Sequence, residues 1–157
     1  MSDALCQVTV QGIAADRLGY DFVLLAAEDG RQLPIWVGSC DAQNVLRIFL
    51  EIEEQRPLTH RLIISCFEHL GGRITGVTLD DLWQNVFYAK VHLTDRHGTP
   101  HQLDCRPADA LAIALRLGLP IQVREDVLEE GKIATDLPPS EDTKEPEGDE
   151  PDGDETT

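Results

Sequence analysis

The chain has 157 residues, 41% of them hydrophobic, and a formal net charge of −16 at pH 7. This length suits one domain with its own core and is too short for two full ones. No run approaches the ~18 consecutive apolar residues of a membrane span, and the first residues lack the basic start and apolar stretch of a secretion signal. We therefore expect a cytoplasmic protein with no membrane partner.

The negative charge is concentrated at the C-terminal end. Residues 134–157 contain ten acids and one lysine, which is −9 of the total and leaves −7 on residues 1–133. Because that segment has almost no apolar side chain to bury, we predict a disordered acidic tail after a domain of residues 1–133. The domain is itself acidic and poor in lysine, which favours concentrated salt because salt screens charge repulsion. We expect a halophilic acidic surface.

The first part of the chain predicts strands followed by a helix. Residues 5–13, 20–27 and 32–38 are typical of strands, and Asp29-Gly30 is a hairpin signal between the second and the third. A helix is predicted after them with Ser39 as its N-cap. Its apolar stripe has helical spacing and consists of Ala42, Val45, Leu46, Phe49 and Leu50.

A second helix is predicted after Pro57. Thr59 is its expected N-cap, and Gly71-Gly72 is expected to end it in a left-handed turn. The stripe expected to be buried is formed by the apolar residues Leu62, Ile63, Cys66, Phe67 and Leu70.

The remaining elements complete an α+β pattern. Residues 73–82, 85–95 and 99–105 predict strands, and a third helix begins with Pro107. That helix is apolar almost all round, so we expect it to be the most buried one. A last strand at 119–123 and a short helix at 125–132 follow. Because strands come in runs, we predict a single α+β domain whose mixed, mostly antiparallel sheet carries three main helices.

One charged group lies where the third helix begins. Asp109 falls at the third helical position, where a carboxylate stabilises the helix start, and Arg106 could simply pair with one of the acids. Alternatively, Asp104 and Asp109 converge as oxygen ligands for Mg²⁺ or Mn²⁺, and Arg106 binds a phosphate. The residue spacing leaves both interpretations open.

A second charged group lies where the second helix begins. Thr59 as an N-cap needs no further function, and His60 could be solvated. Alternatively, Arg56 and Thr59 form an anion pocket at the helix N-terminus, and His60 acts as a general acid or base near neutral pH. The sequence contains no P-loop, dinucleotide, zinc-protease or serine-hydrolase motif.

Several segments stand in a distinctive order and spacing: LPIWVGSCDAQNVL, RPLTHRL, LGGRITGVTLDDL, VFYAKVHL and LDCRPADALAIALRLGLPIQVREDVLEEG. Together they resemble the bifunctional nuclease domain family of bacteria and plants. The resemblance spans most of residues 5–131. It implies a compact α+β domain, usually oligomeric, with nuclease activity toward DNA and RNA in some members.

The resemblance also assigns residues to motifs. Arg56, Pro57, Thr59 and His60 match one family motif, and Asp104, Arg106, Pro107 and Asp109 match the other. Two positions depart from the family pattern. Arg61 stands where an acid is usual, which removes a potential metal ligand, and Asp41 stands where Glu is common.

Two functions remain as hypotheses. The first is a nuclease acting on DNA or RNA, in which His60, Asp104 and Asp109 are catalytic. Its phosphate-binding residues are Arg56, Thr59 and Arg106. Asp104 and Asp109 are also its ligands for Mg²⁺ or Mn²⁺. The second is a non-enzymatic oligomeric module that binds a small anionic ligand or a protein partner, which Arg61 and the acidic tail fit. The acidic domain argues against the first, because it repels a polyanion. In both cases we expect a homo-oligomer, with a dimer favoured.

Overall fold

The computed structural model describes residues 4–133; the predicted acidic tail, residues 134–157, lies outside them. The strands are β1 (Leu5–Ala15), β2 (Asp21–Ala27), β3 (Gln32–Trp36), β4 (Arg73–Trp83), β5 (Val86–Thr94), β6 (Pro100–Cys105) and β7 (Ile121–Arg124). The helices are α1 (Ser39–Phe49), α2 (Thr59–His69), α3 (Pro107–Leu117) and α4 (Glu125–Gly131). None of these helices is both long and apolar enough to cross a bilayer.

The seven strands form one curved sheet in the order β3-β2-β1-β7-β4-β5-β6. Neighbouring strands run antiparallel except β4 and β7, which are parallel. Helix α4 packs against both β3 and β4. Because three strands separate those two in the sheet, the sheet must curve around the helix. The predicted α+β class, with a mixed and mostly antiparallel sheet, is confirmed.

Helix α3 is the centre of the helical layer. It packs on β4 and β5, and both α1 and α2 pack on it, while α1 also covers β1 and β2. Six of its eleven residues are buried, as its apolar composition predicts. Full burial of a side chain such as Leu111 stabilises the fold by about 1.5–3 kcal/mol. The first turn of α3 therefore has a rigid support.

Two predicted N-caps are wrong by one residue. Helix α1 is preceded by Gly38 and α2 by Leu58, and neither position makes a side-chain capping hydrogen bond. Ser39 and Thr59 are instead the first helical residues. Apolar spacing sets the face of a helix but fixes its end only to within one or two residues. The shift places His60 at the second position of α2.

The predicted buried stripe of α2 is also wrong. Ile64 is the one buried residue of this helix, while Leu70 is 73% exposed and Leu62 and Ile63 are exposed as well. Because three apolar residues follow one another at positions 62–64, their spacing fits more than one face of a helix. We call the exposed side chains on α2 and at its two ends, Leu58, Leu62, Ile63 and Leu70, the α2 apolar face.

Candidate functional site

The first turns of three helices meet at one point on the surface. Asp41 lies in the first turn of α1, His60 in that of α2 and Asp109 in that of α3. Arg106 is the N-cap residue of α3. These four residues, which we call the Arg106 cluster, are joined by hydrogen bonds. Because helix N-termini carry partial positive charge, the cluster lies in a field that favours anions.

Arg106 joins α1 to α3. Its Nε and one terminal nitrogen donate to the two oxygens of Asp109 at 2.8 and 3.0 Å. Its terminal nitrogens also donate to Asp41, at 3.0 and 3.3 Å. Four of the five guanidinium N–H groups are thereby used, and the side chain is still 65% exposed. Arg106 is positioned rigidly and can still reach a ligand in solvent.

Asp109 orients His60. The His60 Nε2 lies 2.9 Å from Asp109 Oδ1, and only 12% of the His60 side chain is exposed. Burial acts to raise the pKa of Asp109, but hydrogen bonds from Arg106 and His60 outweigh it, and the pKa lies below its usual value. An ionised Asp109 accepts the hydrogen bond, so Nε2 carries the proton and Nδ1 is the ring nitrogen left for another partner.

This contact confirms that the two motifs meet. It also decides what the Asp109 side chain does: its oxygens bind Arg106 and His60, not the free amides of the first turn of α3. Asp109 therefore holds two helices and a loop residue together, which a simple helix cap would not do.

A cavity of about 510 Å³ opens beside Arg106. Residues from both ends of the curved sheet form its wall: Trp36 comes from β3, Tyr88 from β5 and Asp104 from β6. Asp41 and Arg106 also line it. His60 is not part of the lining; it contacts Asp109, which in turn contacts Arg106. The volume is typical of a small-molecule site.

Asp104 is exposed at the end of β6, opposite Lys90 in the β5–β6 pair. Within residues 4–133 its carboxylate makes no hydrogen bond and is not joined to Asp109. The Lys90 amine instead bonds Asp80. Asp104 thus offers a free carboxylate to the cavity.

Arg56 and Thr59 lie apart from the cluster contacts. Both are exposed, and in the described part of the chain neither side chain forms a hydrogen bond or an ion pair. Of the second predicted group, the structure brings only His60 into the Arg106 cluster.

Cys105 lines the cavity without being a nucleophile. Burial, together with the charges of Asp109 and Asp104, raises the pKa of its thiol to about 11. The thiol therefore stays protonated near neutral pH, and a protonated thiol attacks poorly.

The predicted Mg²⁺ or Mn²⁺ site does not fit the described side chains as they are arranged. Among residues 4–133, no group of three or more His, Cys, Asp or Glu side chains is placed to hold a metal ion. Both oxygens of Asp109 already accept hydrogen bonds from Arg106, and a cation there would have to displace the guanidinium.

Two features of the site do not follow from the sequence pattern: the pairing of Asp41 with Arg106, and the meeting of Trp36 and Tyr88, which lie in two different predicted strands. The partner Arg106 is 65 residues away from Asp41, so no local spacing relates them. The aromatic pair depends on the curvature of the sheet, which brings β3 and β5 together.

Comparison with known proteins gives one family. Residues 23–136 match the model of the bifunctional nuclease domain. An uncharacterized protein of Mycobacterium tuberculosis is 39% identical over 124 residues, which cover 78% of this chain and 73% of that protein. Bifunctional nuclease 1 of Arabidopsis thaliana is 26% identical over 154 residues, covering 90% of this chain and 47% of its own length. For bifunctional nuclease 2 of Oryza sativa subsp. japonica the identity is 27% over 109 residues, with 67% and 34% covered. The chain spans less than half the length of these two plant relatives.

Proposed function

Because the chain belongs to the bifunctional nuclease domain family, as its motifs predicted, we propose that it hydrolyses phosphodiester bonds of DNA or RNA at the Arg106 cluster. The observation that carries the proposal is the chain of contacts from Asp41 through Arg106 and Asp109 to His60, beside a cavity large enough for a nucleotide unit. It combines a rigid cation for a phosphate with an oriented imidazole for proton transfer.

In the proposed step, water attacks phosphorus and the bond to the leaving oxygen breaks. Asp104, whose carboxylate is free at the cavity, takes the proton of the attacking water. Protonated His60 keeps its Nε2–H on Asp109, and because His60 does not line the cavity, its Nδ1 proton reaches the leaving oxygen through one solvent molecule. The products are a phosphate monoester and an alcohol, and solvent returns the two side chains to their starting protonation states.

Arg106 supports the same step electrostatically. Its remaining N–H group and its positive charge stabilise the charge that develops on the phosphoryl oxygens, as preorganised donors do in other hydrolases. Arg56 and Thr59, both exposed near the start of α2, contribute to binding a neighbouring phosphate of the substrate. Metal binding by Asp104 and Asp109 stays a prediction from the sequence, and no step above depends on it.

The acidic charge of the chain sets the conditions for this activity. A net charge of −16 repels a polyanion at low ionic strength, and salt screens that repulsion. We propose that the protein works in a cytoplasm of high ionic strength, where salt weakens the repulsion between its acidic surface and nucleic acid.

Cleavage of labelled single-stranded DNA and RNA tests the proposal. Wild type, Asp104→Asn and His60→Ala are purified identically and assayed with Mg²⁺, Mn²⁺ or EDTA from low to molar KCl. The matched control is His69→Ala, because His69 lies in the same helix and, among the described residues, its side chain bonds the Ser65 carbonyl and no member of the Arg106 cluster. Activity lost in the first two variants and kept in the control supports the proposal. Equal activity in all four proteins, or none in wild type, overturns it.

A second candidate function is an oligomeric binding module, favoured by the α2 apolar face. Exposed leucines and isoleucine on one helix are a common feature of subunit interfaces. We propose that this face joins two copies of the chain. Light scattering after gel filtration is expected to give the mass of a dimer for wild type and of a monomer for Leu62→Glu. A monomeric wild type would contradict the dimer, and a dimer without cleavage would favour the binding module.

A further inference from the structure

Exposed aromatic side chains stand on the cavity wall beside Arg106. Trp36 is 53% exposed and Tyr88 is 42% exposed, and both line the cavity. An exposed aromatic ring offers a large flat apolar area on which another ring can stack. Two of them on one cavity, next to an arginine, therefore point to a ligand with a flat ring and a negative charge.

Trp36 is held in place before any ligand arrives. Its Nε1–H donates to Asp16 Oδ2 at 3.2 Å, and its ring packs on Phe22 with the centroids 5.9 Å apart. The Trp36 ring is already fixed on one side and exposed on the other. Little conformational entropy is therefore lost when a second ring stacks on it. Tyr88 comes from strand β5, toward the opposite end of the curved sheet.

Asn85 adds a polar group to the same wall. It lies in the two-residue turn between β4 and β5, where Gln84 and Asn85 both have positive φ, 50° and 62°. Asn adopts this conformation more readily than most residues. Its amide is both a hydrogen-bond donor and an acceptor. It can therefore bond the donor and acceptor atoms on the edge of a nucleobase.

We propose that this cavity is a base subsite: it stacks one unpaired nucleobase against Trp36 and Tyr88 while the adjoining phosphate lies at Arg106. The inference rests on the proposed function and adds the class of substrate. In a duplex both faces of each base are covered by its neighbours, so a base can stack on protein rings only when it is unpaired. The site therefore selects single strands over duplexes.

Fluorescence of Trp36 tests the subsite directly. The chain has two tryptophans, so the full-length Trp83→Phe variant reports on Trp36 alone. It is titrated with hexathymidylate, with an abasic hexamer of the same charge, and with a duplex. We expect quenching by hexathymidylate, and binding roughly tenfold tighter than for the abasic strand or the duplex, as one stacked base provides.

Variants at Tyr88 give a second readout that leaves Trp36 in place. Tyr88→Leu keeps an apolar side chain on the strand but removes the ring, and it is expected to weaken hexathymidylate binding by roughly tenfold, with Tyr88→Phe near wild type. The matched control Tyr20→Leu changes an exposed tyrosine outside the cavity, and binding is expected to stay unchanged.

The outcomes separate the subsite from the catalysis. Equal affinity for the hexathymidylate and abasic strands, including no binding of either, overturns the base subsite even if the protein cleaves nucleic acid. Base-dependent binding without cleavage supports the subsite and overturns the proposed hydrolysis.

Discussion

Within residues 4–133, Arg31 and Arg106 each pair with more than one carboxylate, and of these two only Arg106 lies in a candidate site. Arg31 joins Asp29, at 2.6 Å, to Glu125 and Glu129 of α4, at 2.5 and 2.6 Å; we call these four residues the Arg31 cluster. Arg106 pairs with two carboxylates, those of Asp41 and Asp109. The pKa of each guanidinium is raised above its usual value by these neighbours, Asp29 first for Arg31 and Asp109 first for Arg106.

The difference between the two clusters lies in their surroundings. The Arg31 side chain is 21% exposed and connects the β2–β3 turn to α4, with carboxylates as its ion-pair partners. Arg106 is largely exposed, lines a cavity and reaches an imidazole through Asp109. The number of ion pairs therefore does not identify a functional site. Exposure at a cavity, together with a link to an oriented imidazole, does.

The largest expected effect is on cleavage by His60→Ala. General acid catalysis contributes about 10²–10⁴ in rate, so the variant is expected to lose that factor; because the buried His60–Asp109 contact is also lost, rates are compared well below the Tm of the variant. Free imidazole added to the variant should restore part of the rate, because it can supply the missing proton. Cleavage is measured on a labelled oligonucleotide, with His69→Ala as the control. A variant as active as wild type would remove His60 from the mechanism.

A smaller effect is expected on stability at the other cluster. Arg31→Met leaves three carboxylates near one another without their cation, and we expect the Tm to fall by about 3–5 °C. Arg106→Met should lower the Tm by less, because solvent screens the exposed Arg106 pairs. Differential scanning calorimetry of the two variants gives the comparison. A larger loss for Arg106→Met would show that the Arg106 cluster is chiefly a structural link.

The pH dependence of stability separates Asp109 from its neighbours. Its pKa is lower in the folded chain than the usual ~3.9 of an unfolded Asp. Asp109 therefore stabilises the fold above about pH 4, and this contribution is lost as the pH falls through the folded value. The Tm difference between wild type and Asp109→Asn should be larger near neutral pH than near pH 3. A difference that stays constant with pH would contradict the assignment.

The smallest effect is expected for Thr59→Ala. Because the Thr59 side chain makes no capping hydrogen bond, its removal should change the free energy of unfolding by less than about 0.5 kcal/mol. Urea titration measures this change. A loss near 1 kcal/mol, typical of a true N-cap, would restore the capping role that the sequence predicted.

Most of the fold followed from the sequence. Alternating strands, the Asp29-Gly30 turn and the apolar third helix all appear where the spacing predicts them, because each depends on residues close together in the chain. The predictions failed where local patterns were ambiguous: Ser39 and Thr59 are each one residue past the cap, and α2 turns Leu62 and Ile63 outward.

The site was predictable in part. Both motifs were recognised, and the contact between His60 and Asp109 joins them, 49 residues apart. The pairing of Asp41 with Arg106 was not predictable, since it depends on how α1 packs beside α3. The placement of Trp36 and Tyr88 on one cavity wall was not predictable either, because a strand pattern does not give the curvature of a sheet.

The most direct test of the central claim compares cleavage by Arg106→Met and Arg31→Met, purified side by side with wild type. Both variants replace an arginine that holds several carboxylates, so a general loss of charge or of stability affects both. If the Arg106 cluster is the active site, Arg106→Met loses about 10²–10³ in rate and Arg31→Met cleaves like wild type. Equal rates for the two variants would contradict the account.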